Sequence, residues 1–324
     1  MKAAWYERQG PARDVFVVGD MDTPTPGPGE VRIRIAASGI NPGDVRKRQD
    51  AFGVGMPYPR IVPHSDGAGT IDAVGAGVCA SLVGQRVWCW GAQTYRPFGT
   101  AAEFTVVPLI QAVPLPEAAT MAQGACLGIP GITAFRALQV GGDLRGKNVL
   151  VQGGAGAVGA IAVHLAHRAG ARVMATCRTP RQMDIAAEHG ADHVLPIDDG
   201  LVAAVRALVP GGIDHLVEVA FGENIARDLE LLAPGASIAA YATHEASPRI
   251  PFWELLFKNI AIHLVGSDDV PVSAKLAACS ALNEAIEGGW PVAHIDRMLA
   301  LDEIAQAHLL VERGGLDGRV VLVP

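Results

Sequence analysis

The run Gly154-Ala155-Gly156-Ala157-Val158-Gly159 has the spacing G-x-G-x-x-G, and it does its chemistry by leaving side chains out. The first glycine permits a tight turn, the second lets a pyrophosphate approach the backbone, and the third lets a helix pack closely on a strand. Free N–H groups and the positive dipole end of the following helix then face the anion. The run directly follows the apolar Asn148-Val149-Leu150-Val151-Gln152 and opens an Ala-rich stretch over 157–169, the strand–turn–helix setting that the motif demands. About 20 residues beyond such glycines, a fold that selects a free ribose 2′-hydroxyl carries Asp or Glu. Here Thr176-Cys177-Arg178-Thr179-Pro180-Arg181 contains neither. A guanidinium binds a 2′-phosphate bidentately where an acid would repel it, so this corner predicts NADP(H), with Arg178 the first candidate and Arg181 the second. The plainer alternatives are a ligand-free glycine turn and two solvated arginines.

Residues with these duties need elements to hold them. Further strand candidates recur at 172–176, 193–195, 214–219, 237–241 and 260–265, with helical stretches between most of them. Strands alternating with helices imply βαβ units and a parallel sheet covered on both faces. Six strands match the count of a Rossmann doubly wound fold. Ala220 and Tyr241, at the ends of the fourth and fifth strand candidates, join the cofactor-binding set. Before residue 120 the texture is β-rich. Residues 31–35 alternate apolar and basic side chains, as a strand with one buried face should, and 70–74, 86–90 and 103–107 are short runs punctuated by Gly, Pro and Asp, suggesting a small barrel or sandwich. A helix over 274–287, a second capped by Asp302 and a closing strand at 319–323 form a tail too small to stand alone. The expected fold class is α/β, with residues 1–125 and 266–324 forming a discontinuous β-rich domain and 126–265 the dinucleotide domain.

Composition removes other classes. The chain has 324 residues, half of them hydrophobic, and a net charge of −7, which excludes a disordered chain and makes nucleic acid an unsuitable partner. No apolar run approaches the ~20 residues that span a bilayer, so no membrane partner is expected. The N-terminus is charged too early for a signal peptide. Five scattered cysteines point to reduced thiols in a cytoplasmic protein.

Several segments, taken in order, carry a resemblance: Ala37-Ser38-Gly39-Ile40-Asn41-Pro42-Gly43-Asp44, Pro63-His64-Ser65-Asp66-Gly67-Ala68-Gly69, Gly131-Ile132-Thr133-Ala134-Phe135-Arg136-Ala137 and the glycine loop. Phe257-Lys258-Asn259-Ile260, Leu301-Asp302-Glu303-Ile304-Ala305-Gln306-Ala307-His308 and Gly318-Arg319-Val320-Val321-Leu322 extend it. Over essentially the whole chain it resembles the zinc-free quinone oxidoreductase (zeta-crystallin-like) branch of the medium-chain dehydrogenase/reductase superfamily. The resemblance implies a GroES-like catalytic domain built from both chain ends, a Rossmann domain between them, NADP(H) in the cleft, and a homodimer joined through the last Rossmann strands near 260–265. It also implies Asn41 as an amide donor near the nicotinamide ribose or the substrate carbonyl, and Thr133 near the nicotinamide. These two residues are the catalytic candidates and belong to the cofactor-binding set as well.

Departures from the zinc-dependent relatives bear on the chemistry. Asn41 stands where those enzymes carry a first zinc cysteine, and His64-Ser65-Asp66 where they have Gly-His-Glu. No cysteine lies within 128–135, and the four-cysteine structural lobe is missing. Zinc needs three or four N/S ligands at set spacings, so no metal site is expected. His64 reads as a buried histidine held by backbone bonds, His164/His167 and His189/His193 as solvated helix faces, Cys177 as a passive small residue, and Asp44 with Arg48 as a structural ion pair.

Hydride addition to a simple ketone develops an alkoxide, whose basicity approaches that of hydroxide (water, about 15.7). Addition to a quinone develops a phenolate with a pKa of about 10, and the six-unit gap is worth up to ~8 kcal/mol. Without a Lewis acid, quinones and α,β-unsaturated carbonyls are therefore the expected small-molecule substrates. The alternatives are a zinc-free alcohol or enoyl reductase on the same scaffold, and an NADPH-binding protein with a mainly structural or regulatory role.

Overall fold

The computed structural model describes residues Met1–Pro324. Strands β1 (Lys2–Trp5) and β2 (Val17–Asp20) form a small antiparallel pair. In β3 (Glu30–Gly39), Val31, Ile33 and Ile35 are buried while Arg34 is exposed, so the alternation read from the sequence sets the buried face. The polar face is used too: Arg32 forks onto Asp72 through two 3.0 Å bonds, and the Arg34 guanidinium lies 4.7 Å from the Phe104 ring centre. Next come β4 (Asp66–Val74), β5 (Arg86–Cys89), β6 (Phe104–Pro108) and β7 (Ala112–Pro114). Register shifts at Arg32/Ile33 and Ile35/Ala37 interrupt the antiparallel β3–β4 ladder, and such bulges increase twist. The ladder ends with Gly39 opposite Asp66.

The middle of the chain supplies β8 (Asn148–Val151), β9 (Arg172–Cys177), β10 (His193–Pro196), β11 (Ile213–Glu218), β12 (Leu232–Ala240) and β13 (Ala261–Leu264). All pair in parallel, in the order β10-β9-β8-β11-β12-β13. This is the doubly wound dinucleotide order, with the winding reversed between β8 and β11. Leu150, Met174, Leu216 and Ile238 lie in the core beside Val205, Ile225 and Leu229 of the covering helices. These near-continuous apolar runs are what a sheet covered on both faces requires.

Two more strands close the fold. β14 (Ile295–Ala300) runs parallel to β15 (Arg319–Val323), and β15 lies antiparallel to β3, with Val321 opposite Gly39 and Leu322 opposite Ser38. The first sheet thus has the order β14-β15-β3-β4-β5-β7, with β6 also on β3. β14 escaped the sequence reading because its residues are half-buried or exposed with no clean alternation. Asp302 does not cap the helix Ile304–Arg313. It lies in a preceding 3-10 turn, where its carboxylate is 2.6 Å from Lys2 Nζ. The chain forms two compact units, Met1–Pro130 with Leu282–Pro324, and Gly131–Ala281. No helix is long and apolar enough to cross a membrane.

Both units bury neutral histidines. His64 and His308 are fully buried with their Nε2 atoms 2.9 Å apart, and Ser38 Oγ is 2.8 Å from His64 Nδ1. His215 is held by Ser237 Oγ and the Ala137 carbonyl, each at 2.8 Å. Burial pushes His64 down to about 3 and His215 to about 4. The unfolded chain takes up these protons below about 6.5 and the folded chain does not. Each such histidine should therefore remove up to ~1.4 kcal/mol of stability per pH unit as pH falls below 6.5. Thermal midpoints recorded from pH 7.5 to 4.5 check this; a flat profile would contradict it.

Candidate functional site

The loop after β8 meets the steric demands of a phosphate cradle. A Cβ on residue 159 would stand 2.1 Å from the Gly153 carbonyl oxygen, and one on residue 154 would stand 2.5 Å from Ala175 Cβ. Only glycine lets the helix Ala157–Arg168 begin this close to β8 and β9. Gly156 is exposed at its N-cap and no side chain caps it. The first-turn N–H groups thus lack the partner that Ser, Thr or Asp would give them. Ala155, Ala157 and Val158 are half-buried and present no charge. These residues fit the pyrophosphate of a dinucleotide.

The corner expected to select the cofactor lies at the end of β9. Thr176 and Cys177 are buried, while Arg178 and Arg181 are exposed. Thr176 Oγ1 accepts from the Gly153 N–H at 3.1 Å and donates to Gln152 Oε1 at 2.6 Å. The Cys177 thiol donates to the Gln182 carbonyl at 3.3 Å, and burial pushes it up to about 11. It is a protonated spacer and not a reactive thiolate. Ala220 directs its N–H to the Glu218 carboxylate, and Tyr241 donates its N–H to the Glu218 carbonyl at 3.1 Å. Parallel winding thus gathers the loop at 153–159, the 176–181 corner, Ala220 and Tyr241 at the carboxyl ends of β8, β9, β11 and β12. Open sheets of this order bind ligands at that edge, by the reversal between β8 and β11. Thr133, in the helix Gly128–Gln139 of the same unit, is buried.

Asn41 belongs to the other unit, where β3, β4 and β15 build its surroundings. It follows the end of β3 and precedes the helix Pro42–Arg48, and its own N–H donates to Asp44 Oδ2 at 2.8 Å. Its Nδ2 donates to Asp66 Oδ2 at 2.7 Å, because the β3–β4 register brings residue 66 beside the end of β3. Its Oδ1 accepts from the Arg319 guanidinium at 2.7 Å, which also donates to the Ile40 carbonyl at 3.0 Å. Asp66 accepts in addition from the Ile129 N–H at 2.9 and 3.0 Å. Burial pushes the Asp66 carboxyl up to about 7, against the pull of the Asn41 and Ile129 bonds. A Cβ on residue 128 would stand 2.2 Å from Asp66 Oδ1, so the carboxylate is packed against bare backbone. Asn41 is locked on both sides of its amide, with one Nδ2 hydrogen left uncommitted.

Several sequence expectations need correction. His64 is buried, but side chains of Ser38 and His308 hold its ring, and its backbone takes a left-handed φ of 75°. His189 is buried, and burial lowers both His189 and His164, so neither belongs to a solvated face. Arg48 pairs with Glu312 at 3.0 Å, while Asp44 serves the Asn41 N–H. No group of three or more His, Cys, Asp or Glu side chains is arranged to hold a metal ion. Asp66, Arg319, Gln152, Glu218 and Asp228 carry no signal of a role in the sequence. The first two lie inside the family-like motifs, but nothing in those motifs says they meet at Asn41.

Comparisons with known proteins agree with this architecture. Residues 27–117 match the family described as alcohol dehydrogenase GroES-like domain, and residues 157–277 the one described as zinc-binding dehydrogenase. The chain is 30% identical over 317 residues to the quinone oxidoreductase of Mus musculus, covering 94% of this chain and 92% of that one. Among solved structures, a mycobacterial protein described as complexed with NADPH superimposes with a TM-score of 0.88 at 26% identity, and an NAD-dependent alcohol dehydrogenase with 0.88 at 25%, each over the full length of both chains. By its two matched domains and its full-length relatives, the chain belongs to the medium-chain dehydrogenase/reductase superfamily, in the zeta-crystallin-like quinone oxidoreductase branch, and is an oxidoreductase acting on a small molecule.

Proposed function

We propose that the protein reduces a quinone or an α,β-unsaturated carbonyl with NADPH and without zinc. The observation that carries this reading is the uncapped glycine cradle next to a strand end that offers Arg178 and Arg181 and no carboxylate. The cradle at 154–159 would hold the pyrophosphate by backbone N–H groups, the two arginines the 2′-phosphate, and Thr176, Cys177, Ala220 and Tyr241 would shape the walls of the dinucleotide site. When bound, the dinucleotide supplies a hydride. Thr133 and Asn41 serve the nicotinamide end. The uncommitted Nδ2 hydrogen of Asn41 is a donor for a substrate oxygen that gains negative charge, and Asp66 and Arg319 hold the amide so that little reorganisation is needed.

The donor set argues for zinc-independence. An amide stands at position 41 and a hydroxyl at Ser65, and neither is a usual zinc ligand. A single neutral donor suits an acceptor that spreads its charge, which supports a conjugated carbonyl over a simple ketone. The mouse relative's name and the NADPH with which the mycobacterial neighbour is described as complexed support the same choice. The neighbour described as an NAD-dependent alcohol dehydrogenase keeps an alcohol as the second reading. We also propose a cytoplasmic homodimer joined along β13, supported by the position of β13 at the sheet edge and by Leu264, which is 80% exposed.

Three outcomes are expected. The KM for NADPH is lower than for NADH, and Arg178→Glu raises the NADPH value roughly tenfold or more, as loss of a charge-assisted bond should; equal values for the two cofactors would remove the argument. In a panel of quinones, alkenals and ketones, turnover appears with the first two classes and survives dialysis against EDTA. Asn41→Ala lowers turnover with a conjugated acceptor by roughly 10²-fold, with NADPH affinity followed separately by fluorescence; unchanged turnover removes Asn41 from the site.

A further inference from the structure

The second unit completely buries two carboxyl groups behind the phosphate loop, Glu218 at the end of β11 and Asp228 in the helix Phe221–Leu231. Their hydrogen bonds run in one direction. The Gly153 N–H donates to Thr176 Oγ1 at 3.1 Å, the Thr176 hydroxyl to Gln152 Oε1 at 2.6 Å, and Gln152 Nε2 to Asp228 Oδ1 at 3.0 Å. From the other side, Asn224 Nδ2 donates to Glu218 Oε1 at 3.0 Å, and the Ala220 N–H donates to the same oxygen. Two oxygens remain, Asp228 Oδ2 and Glu218 Oε2, both buried and both without a donor. The Glu218 side chain raises the Asp228 carboxyl both by its charge and by hydrogen bonding, which sets the two groups side by side. Neighbouring acceptors with no hydrogen between them describe a carboxyl–carboxylate pair whose one proton completes the set. Two charges there would face each other out of water, at a cost that the Arg227 charge offsets only in part, since the Asp228 carboxyl stays raised.

We propose that Asp228 and Glu218 share one proton, with Asp228 Oδ2–H donating to Glu218 Oε2, and that this pair is a positioning element that fixes the start of the phosphate loop and the end of β11 for the cofactor. The proposal rests on the dinucleotide reading above. Through Gln152 and Thr176 the pair reaches the Gly153 N–H, one residue before the cradle; through Glu218 Oε1 it orients Ala220. Charged and titratable groups around it are few. Arg227, on the same helix, directs its guanidinium to Asn224 Oδ1 at 2.7 Å, and its charge pulls Asp228 down against the burial. Tyr241, beyond β12, is raised by burial and by the Glu218 charge. β8 and β9 contribute only the neutral Gln152 and Thr176. Burial first, then the Glu218 charge, pushes Asp228 up to about 9. A carboxyl raised from 3.8 to about 9 holds its proton only in the folded state across that range, so it makes stability decline from about pH 4 to about 9 and level off above.

Full-length wild type, Asp228→Asn and Asp228→Ala are titrated with NADPH by tryptophan fluorescence from pH 7 to 10.5, and their cofactor-free thermal unfolding is followed over pH 6 to 10.5. An Asn side chain copies the protonated acid: its Oδ1 accepts from Gln152 and its Nδ2 donates to Glu218. Asp228→Asn should bind NADPH close to wild type at pH 7.5. Wild-type Kd should then rise about tenfold per pH unit above pH 9, the signature of one lost proton, while Asp228→Asn stays flat. Asp228→Ala should bind weakly at every pH. Without cofactor, the wild-type midpoint should fall between pH 6 and 9 more steeply than that of Asp228→Asn. Equal pH profiles in the two proteins, or Asp228→Asn as weak as Asp228→Ala, overturn the proposal. A wild type that binds no NADPH at any pH overturns the dinucleotide reading and the positioning role with it, and the cofactor-free slopes still decide the shared proton.

Discussion

The approach of the helix Ala157–Arg168 to the ends of β8 and β9 is the constraint on which the second unit depends. A methyl group at residue 159 would fall 2.1 Å from a carbonyl oxygen, and one at residue 154 would overlap Ala175. Removing side chains there brings the uncapped helix start to the carboxyl edge of the sheet. That edge is where the parallel order β10-β9-β8-β11-β12-β13 delivers the loops after four strands. Local sterics and topology thus agree on one location, and each alone would leave that location unspecified.

The first unit solves a different problem, the orientation of one amide. An asparagine at a strand end has a free torsion that would let it point anywhere. Here the β3–β4 register supplies an acceptor in Asp66, and the β15–β3 register supplies a donor in Arg319. The amide is held at both its oxygen and its nitrogen. Asp66 is held in turn by the Ile129 N–H and crowded by Gly128. Antiparallel pairing, and not local sequence, therefore fixes the geometry of Asn41.

Much of this was legible in the residues themselves. The glycine spacing, the β-branched runs of the parallel strands and the alternation at 31–35 each report a local period, and the structure keeps them. The bonding partners were not legible, because they depend on register across long separations. Arg48 meets Glu312 across 264 positions, and His64 meets His308 across 244. Local reading instead paired Arg48 with Asp44, four residues away, and gave His64 backbone partners. β14 was missed because a half-exposed strand lacks the alternation that marks one. The acid pair at Glu218 and Asp228 was invisible for a related reason: a helix and a strand bring it together, and neither segment shows an unusual pattern.

The bond from Arg319 to Asn41 joins residues 278 positions apart. Translation must therefore run through the entire second unit, and on to β15, before the guanidinium that steadies the amide exists. A nascent chain can assemble the glycine loop at 154–159 well ahead of that moment, but it cannot finish the hydrogen bonds around residue 41. The glycine loop and the locked amide thus mature at different times during synthesis, in that order.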